Sequence, residues 1–152
     1  MLYKTHLVFA ILIALLLFNK FNIFLLIILI LSSFIPDIDI QTSKIGKKFK
    51  ILSFLTNKLF SHRGFFHSII LPLIFYFIFT YIFNLQEIGL VVFIGISSHL
   101  FLDMLTKEGI AFFSPFIQKK INGFITTGGI LELILFLVIL FFNFFIIFRD
   151  FL

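Results

Sequence analysis

Long apolar runs alternate with short polar segments along this 152-residue chain. Five runs can be drawn: Leu7–Phe18, Ile23–Ile35, Phe66–Phe83, Ile88–Leu105 and Ile130–Phe148. The last three have the length, about 18–20 residues, that an α-helix needs to cross a hydrocarbon core about 30 Å thick. The pattern therefore predicts an all-α, polytopic integral membrane protein with about four to five transmembrane or membrane-embedded helices.

The first two runs are shorter, and two arrangements fit them. They form either a hairpin of two short helices that turns at Asn19–Asn22 or one over-long helix. We favour the hairpin because a charge such as Lys20 is costly in the middle of a membrane. Met1–Phe18 also resembles a signal peptide, but no small-residue cleavage site follows it, so we predict an uncleaved first helix.

Composition supports the membrane class. Hydrophobic residues make up 61% of the chain and charged residues 12%, whereas a soluble domain is nearer half apolar and a quarter charged. The water-soluble globular class is therefore excluded. The 27 Phe exclude a disordered chain, and the absence of Cys excludes disulfide scaffolds and thiolate metal sites. With no linker or internal repeat visible, residues 1–152 are predicted to form a single domain.

The net charge of +5 is distributed as expected for a membrane protein rather than for a nucleic-acid-binding one. In the five-helix topology, one side holds Lys4, Lys44, Lys47, Lys48, Lys50, Lys58, Arg63, Lys107, Lys119 and Lys120, and the other holds Lys20 and Arg149. Loops rich in Lys and Arg stay in the cytoplasm. We therefore predict a multi-pass protein of the cell (inner, cytoplasmic) membrane with a cytoplasmic N-terminus. Its predicted partners are membrane lipids and not nucleic acid.

The segment Asp37–Phe65 carries much of this charge. Its apolar side chains recur at helical spacing, and its lysines fall mostly on the other side. The apolar positions are Ile45, Phe49, Leu52, Leu55 and Leu59. This pattern predicts a basic amphipathic helix on an anionic leaflet. The alternative is a solvated loop with a run of charge.

Histidines and carboxylates gather on the predicted cytoplasmic side. All four His and four of the seven acidic residues gather at this membrane face, drawn from the five predicted helices: His6, Asp37, Asp39, His62, His67, His99, Asp103 and Glu132. Ionisable groups in membrane segments usually mark functional sites. The topology was set from Lys and Arg alone, which makes this convergence a partly independent indication. Taken by itself, His6 would be an ordinary interfacial histidine.

Two pairs within this set have spacing that suits a metal ion. His99 and Asp103 are four residues apart, which puts them on one helix face. Imidazole and carboxylate together suit Zn²⁺, Mn²⁺ or Fe²⁺, although a hydrogen bond between two buried groups would explain the pair as well. Asp37 and Asp39 follow Pro36 on a predicted non-helical turn. They would either share a cation or cap the next segment.

Two other segments are candidates for holding an anion. Arg63 lies between His62 and His67 and has a guanidinium that can fork onto a phosphate or carboxylate, or else anchor the chain at head groups. Gly128-Gly129 precedes the fifth run, where N–H groups at a helix start favour an anion. Glu132 in that first turn is also a normal capping-box acid.

Eight such residues are more than one metal needs. The number suits a two- or three-metal hydrolytic site, in which metals generate hydroxide and clamp a phosphoryl oxygen. No Ser-His-Asp arrangement, nucleotide-binding loop or dinucleotide fingerprint competes with this reading.

The order of the motifs resembles a known family. The motifs are Thr5-His6, Pro36-Asp37-Ile38-Asp39, His62-Arg63-Gly64-Phe65-Phe66-His67-Ser68, and Ser98-His99 through Asp103, followed by Gly109, Pro115 and Thr127-Gly128-Gly129 to Glu132. This resembles the YdjM family of membrane-bound, metal-dependent hydrolases, described in bacteria as regulated by LexA. The resemblance implies that the metal-site positions are His6, Asp37, Asp39, His62, His67, His99, Asp103 and Glu132. Phe66 and Gly129 depart from hydroxyl residues common in the family, which affects substrate contacts more than metal binding.

The sequence thus predicts hydrolysis of a phosphoester, including one in a lipid head group, at a cytoplasm-facing site with a divalent metal. Zinc is the first choice, with Mn or Fe as alternatives. Arg63 would hold the anionic substrate, and Asp39 or Glu132, whichever is not a ligand, would be the general base. The alternative is a metal-ion or small-solute transporter, which would place its ligands near the midplane on broken helices. A non-catalytic scaffold is a third reading.

Overall fold

Helices form the core of the part of the chain that this computed structural model describes, residues 1–17, 22–39 and 65–151. The helices are α1 (Tyr3–Leu17), α2 (Ile23–Ser33), α3 (Ile70–Phe77), α4 (Gln86–Met104) and α5 (Ile130–Phe151). Short 3₁₀ turns occupy Pro36–Asp39 and Phe65–His67, and α3 continues into a π-helical segment, Ile78–Ile82. The described residues contain no strand, and the predicted all-α class is confirmed. The predicted amphipathic helix, His62 and Arg63 lie outside the described residues.

Two helices are long and apolar enough to cross a membrane. They are α4 and the Ile130–Arg149 part of α5. The helices α1 and α2 and the segment Ile70–Ile82 are apolar but shorter. The protein is therefore a helical membrane protein with two full-length candidate spans among its described helices.

The first two runs form separate helices, and the single over-long helix is excluded. Asn22, the residue just before α2, has an extended backbone conformation. Its Oδ1 accepts hydrogen bonds from the N–H groups of Phe24 and Leu25 at 3.1 and 3.3 Å. This is an N-cap, which marks a new helix start. The two helices pack together through a core that includes Ala10 and Leu29.

Helix α4 lies at the centre and packs against α1, α2 and α3. Its contact with α2 is close because Gly95 has no side chain. A Cβ at this position would lie 2.6 Å from the carbonyl oxygen of Leu29 and would collide with Oγ of Ser32. Small residues allow this kind of close approach between membrane helices. The approach brings the end of α2 next to the end of α4.

Helix α5 lies on the outside against α1. Only 22% of the apolar stretch of α5 that could cross a membrane is buried within the protein, compared with 56% for α4. Its polar contact with the middle of α1 comes from Asn143, whose Nδ2 donates to the carbonyl oxygen of Val8 at 2.9 Å. The rest of its apolar surface is available to lipid.

Residues 105–129, which we call the α4–α5 hairpin, connect the last two helices. Lys107 N–H donates to the carbonyl of Ile125 at 2.9 Å, and Ile110 and Ile121 exchange two backbone hydrogen bonds of 3.1 and 2.9 Å. The N–H of Ile69 donates to the carbonyl of Phe112 at 2.9 Å, which ties the hairpin to the start of α3. The hairpin is therefore a folded element at the end of the helix bundle.

Candidate metal centre

Five of the predicted site residues meet at one end of the bundle, and each comes from the end of an element. His6 lies in the first turn of α1, Asp37 in the 3₁₀ turn after α2, and His67 in the 3₁₀ turn before α3. His99 and Asp103 lie in the last turns of α4, where their spacing puts them on one face. We call these five residues the cluster.

Asp103 is at the middle of the cluster. Its Oδ1 lies 3.4 Å from Nε2 of His6. Its Oδ2 lies 3.4 Å from Nε2 of His99 and 3.7 Å from Nε2 of His67. Nε2 of His99 also lies 3.8 Å from Oδ1 of Asp37. The two oxygens of one carboxylate thus face different imidazoles.

The donor atoms form two overlapping groups. One consists of His6, His99 and Asp103, and the other of Asp37, His67 and His99. Within each group, one possible ligand atom from each residue lies within 4.8 Å of the others. The rings of His6 and His99 are stacked with centroids 3.9 Å apart, and His67 meets His99 edge-on at 5.6 Å. His99 belongs to both groups.

These distances test whether the residues fit a metal. An N–H···O hydrogen bond measures about 2.7–3.2 Å. Two ligands on a tetrahedral ion with bonds of about 2.0–2.1 Å lie about 3.3 Å apart. The four cluster distances, 3.4 to 3.8 Å, are too long for good hydrogen bonds and close to the second value. The donor set therefore fits a divalent metal.

The burial of the cluster histidines also supports a metal site. His6 is 2% exposed and His99 is 1% exposed. Within the described part of the chain, Nδ1 of His6 and both ring nitrogens of His99 have no hydrogen-bond partner. Buried polar groups left without partners are destabilising, and such groups in a native site call for an explanation such as an ion. A metal bound at the imidazole nitrogens of this cluster would supply one.

One contact at the cluster could not be predicted from the sequence. The α-ammonium of Met1 is buried and lies 2.5 Å from Oδ1 of Asp103. It places a positive charge against this carboxylate. No side-chain pattern signals a backbone amine, and only the packing of α1 beside α4 brings it there.

Glu132 is buried but is in neither of the two groups found among the described residues. Its Oε1 accepts hydrogen bonds from the N–H of Leu2 at 2.7 Å and from the hydroxyl of Thr5 at 2.8 Å. Its Oε2 accepts from the N–H of Gly128 at 2.6 Å. We call this arrangement the Glu132 clasp. It fixes the start of α5 to the start of α1, one residue from His6.

At Gly128-Gly129, where the sequence left an anion site and a helix cap open, the contacts are those of a cap. The N–H of Gly128 binds the carboxylate of Glu132, and the N–H of Gly129 donates to the carbonyl of Thr126 at 2.9 Å. The capping interpretation of Glu132 is the one that agrees with these contacts. The acid fills the helix start that an external anion would need.

The turn after α2 also differs from the expectation. Pro36–Asp39 is a 3₁₀ turn, so the predicted non-helical turn is wrong. Asp37 in this turn reaches the cluster. The side chain of Asp39, like His62 and Arg63, lies outside what the structure describes.

Fold and site together define a helical membrane protein with a buried His/Asp cluster at one end of its bundle. The chain belongs to the YdjM inner membrane protein family, whose family model matches residues 1–150. The resemblance predicted from the motifs is thus confirmed.

One relative is similar over much of the chain. It is the protein named "Uncharacterized protein YvsG" from Bacillus subtilis (strain 168), which is 39% identical over 99 residues. The match covers 64% of this chain and 62% of the relative, so the chain spans less than two thirds of that relative's length. No solved structure matches the chain.

Proposed function

We propose that this protein is a membrane-bound, metal-dependent hydrolase that acts on phosphoesters, including those in lipid head groups. One observation carries the proposal. The buried carboxylate of Asp103 has imidazole nitrogens of three histidines 3.4 to 3.7 Å from its oxygens, at distances suited to shared metal ligation.

The cluster residues would hold the metal. Neutral imidazole and carboxylate ligands favour zinc, with Mn²⁺ or Fe²⁺ as alternatives. When bound, a divalent ion of this kind supplies a nucleophilic hydroxide near neutral pH and neutralises charge on a phosphoryl oxygen. Asp103 offers its two oxygens to different imidazoles, and this arrangement favours more than one metal. His62 remains a predicted ligand.

The substrate and the general base are assigned to residues next to the cluster. Arg63 precedes His67 by four residues and would bind non-bridging phosphoryl oxygens through its planar fork. A general base needs an oxygen that is not already engaged. Three donors occupy the carboxylate of Glu132, which leaves Asp39 as the proposed base. Glu132 is then a positioning residue.

The position of the cluster favours a hydrolase over a transporter. All five residues lie at the ends of their helices or in the adjoining turns. Transporters typically bind cargo near the membrane midplane on interrupted helices. A site at the membrane surface can reach lipid head groups and soluble phosphoesters alike.

The topology is part of the proposal. We infer a multi-pass protein with four to five membrane-embedded helices, a cytoplasmic N-terminus and a cytoplasm-facing cluster, since ten of the twelve Lys and Arg fall on that side. Reporters fused within 44–50 and at Lys119-Lys120 should then read as cytoplasmic. A reporter within Asn84–Glu87 should read as external. The opposite pattern would contradict this orientation.

The test of function combines metal content and turnover. The purified protein in detergent should contain a divalent metal and hydrolyse a generic phosphomonoester or phosphodiester. His99→Ala should lose both properties, while Ser98→Ala should keep both. Ser98 is a matched control because it is buried on the same helix and its hydroxyl donates to the carbonyl of Gly95 at 2.7 Å. A protein inactive on all phosphoesters that moves metal across liposomes would contradict the hydrolase.

A further inference from the structure

The α4–α5 hairpin carries a patch of exposed aromatic and aliphatic side chains. Phe116 is 86% exposed and Phe124 is 69% exposed. The patch, which we call the hairpin face, consists of Phe113, Phe116, Ile117, Ile121 and Phe124. The bridge between Ile110 and Ile121 holds the hairpin in shape, so these side chains belong to a folded element. Exposed apolar patches of this kind mark interaction surfaces.

Basic residues accompany the hairpin face. Residues 105–129 contain Lys107, Lys119 and Lys120 against the single acid Glu108, so three positive charges and one negative charge leave a net charge of +2. All three lysines are exposed. Apolar side chains beside exposed lysines are typical of segments that lie in the interface of an anionic membrane.

The place of the hairpin in the fold limits what can cover it. It joins the end of α4 to the start of α5, the two helices long enough to cross a membrane. A bilayer crossed by both helices would have the ends of the hairpin at its surface. The N–H of Thr106 donates to the carbonyl of Asp103 at 3.1 Å, which places the base of the hairpin beside the cluster.

We propose that the hairpin face inserts into the head-group region of an anionic phospholipid leaflet. Phe116 and Phe124 would reach the boundary with the acyl chains, and Lys119 and Lys120 would contact lipid phosphates. The contact would hold the cluster end of the bundle at the level of the head groups. This inference does not depend on the proposed hydrolase activity.

The chain contains no Trp, so a substituted Trp is a unique fluorescent reporter. Phe116→Trp is conservative at a largely exposed position, and Phe124→Trp provides a second reporter. The full-length protein would be reconstituted in phosphatidylcholine vesicles, with or without an equal part of phosphatidylglycerol, containing brominated acyl chains. Phe141→Trp is the matched control, because Phe141 is 66% exposed on the outer helix α5. Its quenching should be strong and independent of lipid charge.

We expect Phe116→Trp to show blue-shifted emission, shielding from iodide and bromolipid quenching that is stronger with phosphatidylglycerol. Adding Lys119→Gln and Lys120→Gln should remove this dependence on anionic lipid. Three results would each overturn the proposal. The first is emission quenched by iodide but not by bromolipid. The second is shielding from both quenchers, as expected if a protein partner covers the hairpin face. The third is bromolipid quenching that does not change with lipid charge or with the two lysine substitutions.

Discussion

Two buried carboxylates lie near the same end of the bundle and have opposite surroundings. Glu132 accepts three hydrogen bonds of 2.6 to 2.8 Å from a hydroxyl and two backbone N–H groups. Asp103 faces three imidazole nitrogens at 3.4 to 3.7 Å and the α-ammonium of Met1. A carboxylate fully engaged by fixed donors stabilises the fold, whereas one surrounded by potential ligands can hold a cation.

The difference follows from where each acid lies on its helix. Glu132 is in the first turn of α5, where backbone N–H groups have no partner within the helix. Asp103 is in the last turn of α4, where the exposed backbone groups are carbonyls and cannot donate to it. Helix polarity therefore makes Glu132 a natural cap, while Asp103 depends on side chains and cations from other elements.

Removing the acid of the cluster should have the largest effect. Asp103→Ala should lose bound metal and all measurable hydrolysis. Changing groups that merely support ligands costs about 10–100-fold in metal affinity, and the loss of a ligand should exceed that. Metal analysis of the purified variant gives the answer. Glu87→Gln is the control, because Glu87 is an exposed acid at the other end of the same helix. Full metal content in Asp103→Ala would reduce the cluster to a structural network.

A charge outside the cluster should affect turnover without affecting the metal. Arg63→Ala should keep its metal and lose about 10²–10³ in rate, by analogy with a lost oxyanion donor. Arg63→Lys should recover only part of the rate, since Lys is a point charge rather than a fork. Metal stoichiometry and phosphoester kinetics on the same preparations separate these effects, with Lys58→Ala as the control. Wild-type kinetics in Arg63→Ala would remove Arg63 from the site.

Breaking the Glu132 clasp should lower the stability of the protein without affecting its metal content. Glu132→Gln should keep its metal and lower the free energy of unfolding by about 2 kcal/mol, the range for hydrogen bonds to a charged group. Thr5→Val removes one of the three donors and should cost about 1 kcal/mol. Thermal unfolding in detergent with parallel metal analysis measures both. If Glu132→Gln instead loses metal at unchanged stability, Glu132 is a ligand, as the sequence predicted.

Removing the hydrogen bond between Asn143 of α5 and Val8 of α1 should have the smallest effect on stability. Asn143→Leu removes the hydrogen bond to the carbonyl of Val8, and such bonds between membrane helices contribute about 0.6 kcal/mol on average. Metal content should not change, because Asn143 is far along the helix from the clasp. Phe144→Leu is a control on the exposed side of α5. A loss several times larger, measured by the same unfolding assay, would show that α5 is held mainly by this bond.

Local patterns predicted much of the fold. The fifth run begins at Ile130, as does α5, and the fourth run matches α4 within two residues. The helix start predicted for the third run was less accurate, because Phe65–His67 forms a 3₁₀ turn and α3 begins only at Ile70. Ser68 stabilises that turn by donating to the carbonyl of Phe65 at 2.7 Å. Apolarity alone does not distinguish a turn packed in the core from a helix.

The cluster was predictable where spacing along one helix determined it, as for His99 and Asp103. The link from Glu132 to the N-terminal segment was not, because two of its three hydrogen bonds come from Leu2 and Thr5, more than a hundred positions away. Pairings between distant helices depend on packing, and a hydropathy pattern does not encode them. The contact of Met1 with Asp103 was missed for the same reason.

The cluster spans almost a hundred positions, from His6 to Asp103, and this sets an order of events during synthesis. A chain is made from its N-terminus, so His6, Asp37 and His67 are made well before His99. The ligand set becomes complete only with α4, and the clasp only with α5. Metal uptake would therefore be a late step in biogenesis. A chain truncated before α4 would lack the residues at the centre of the site, so a loaded metal would mark a protein whose membrane insertion had progressed through α4.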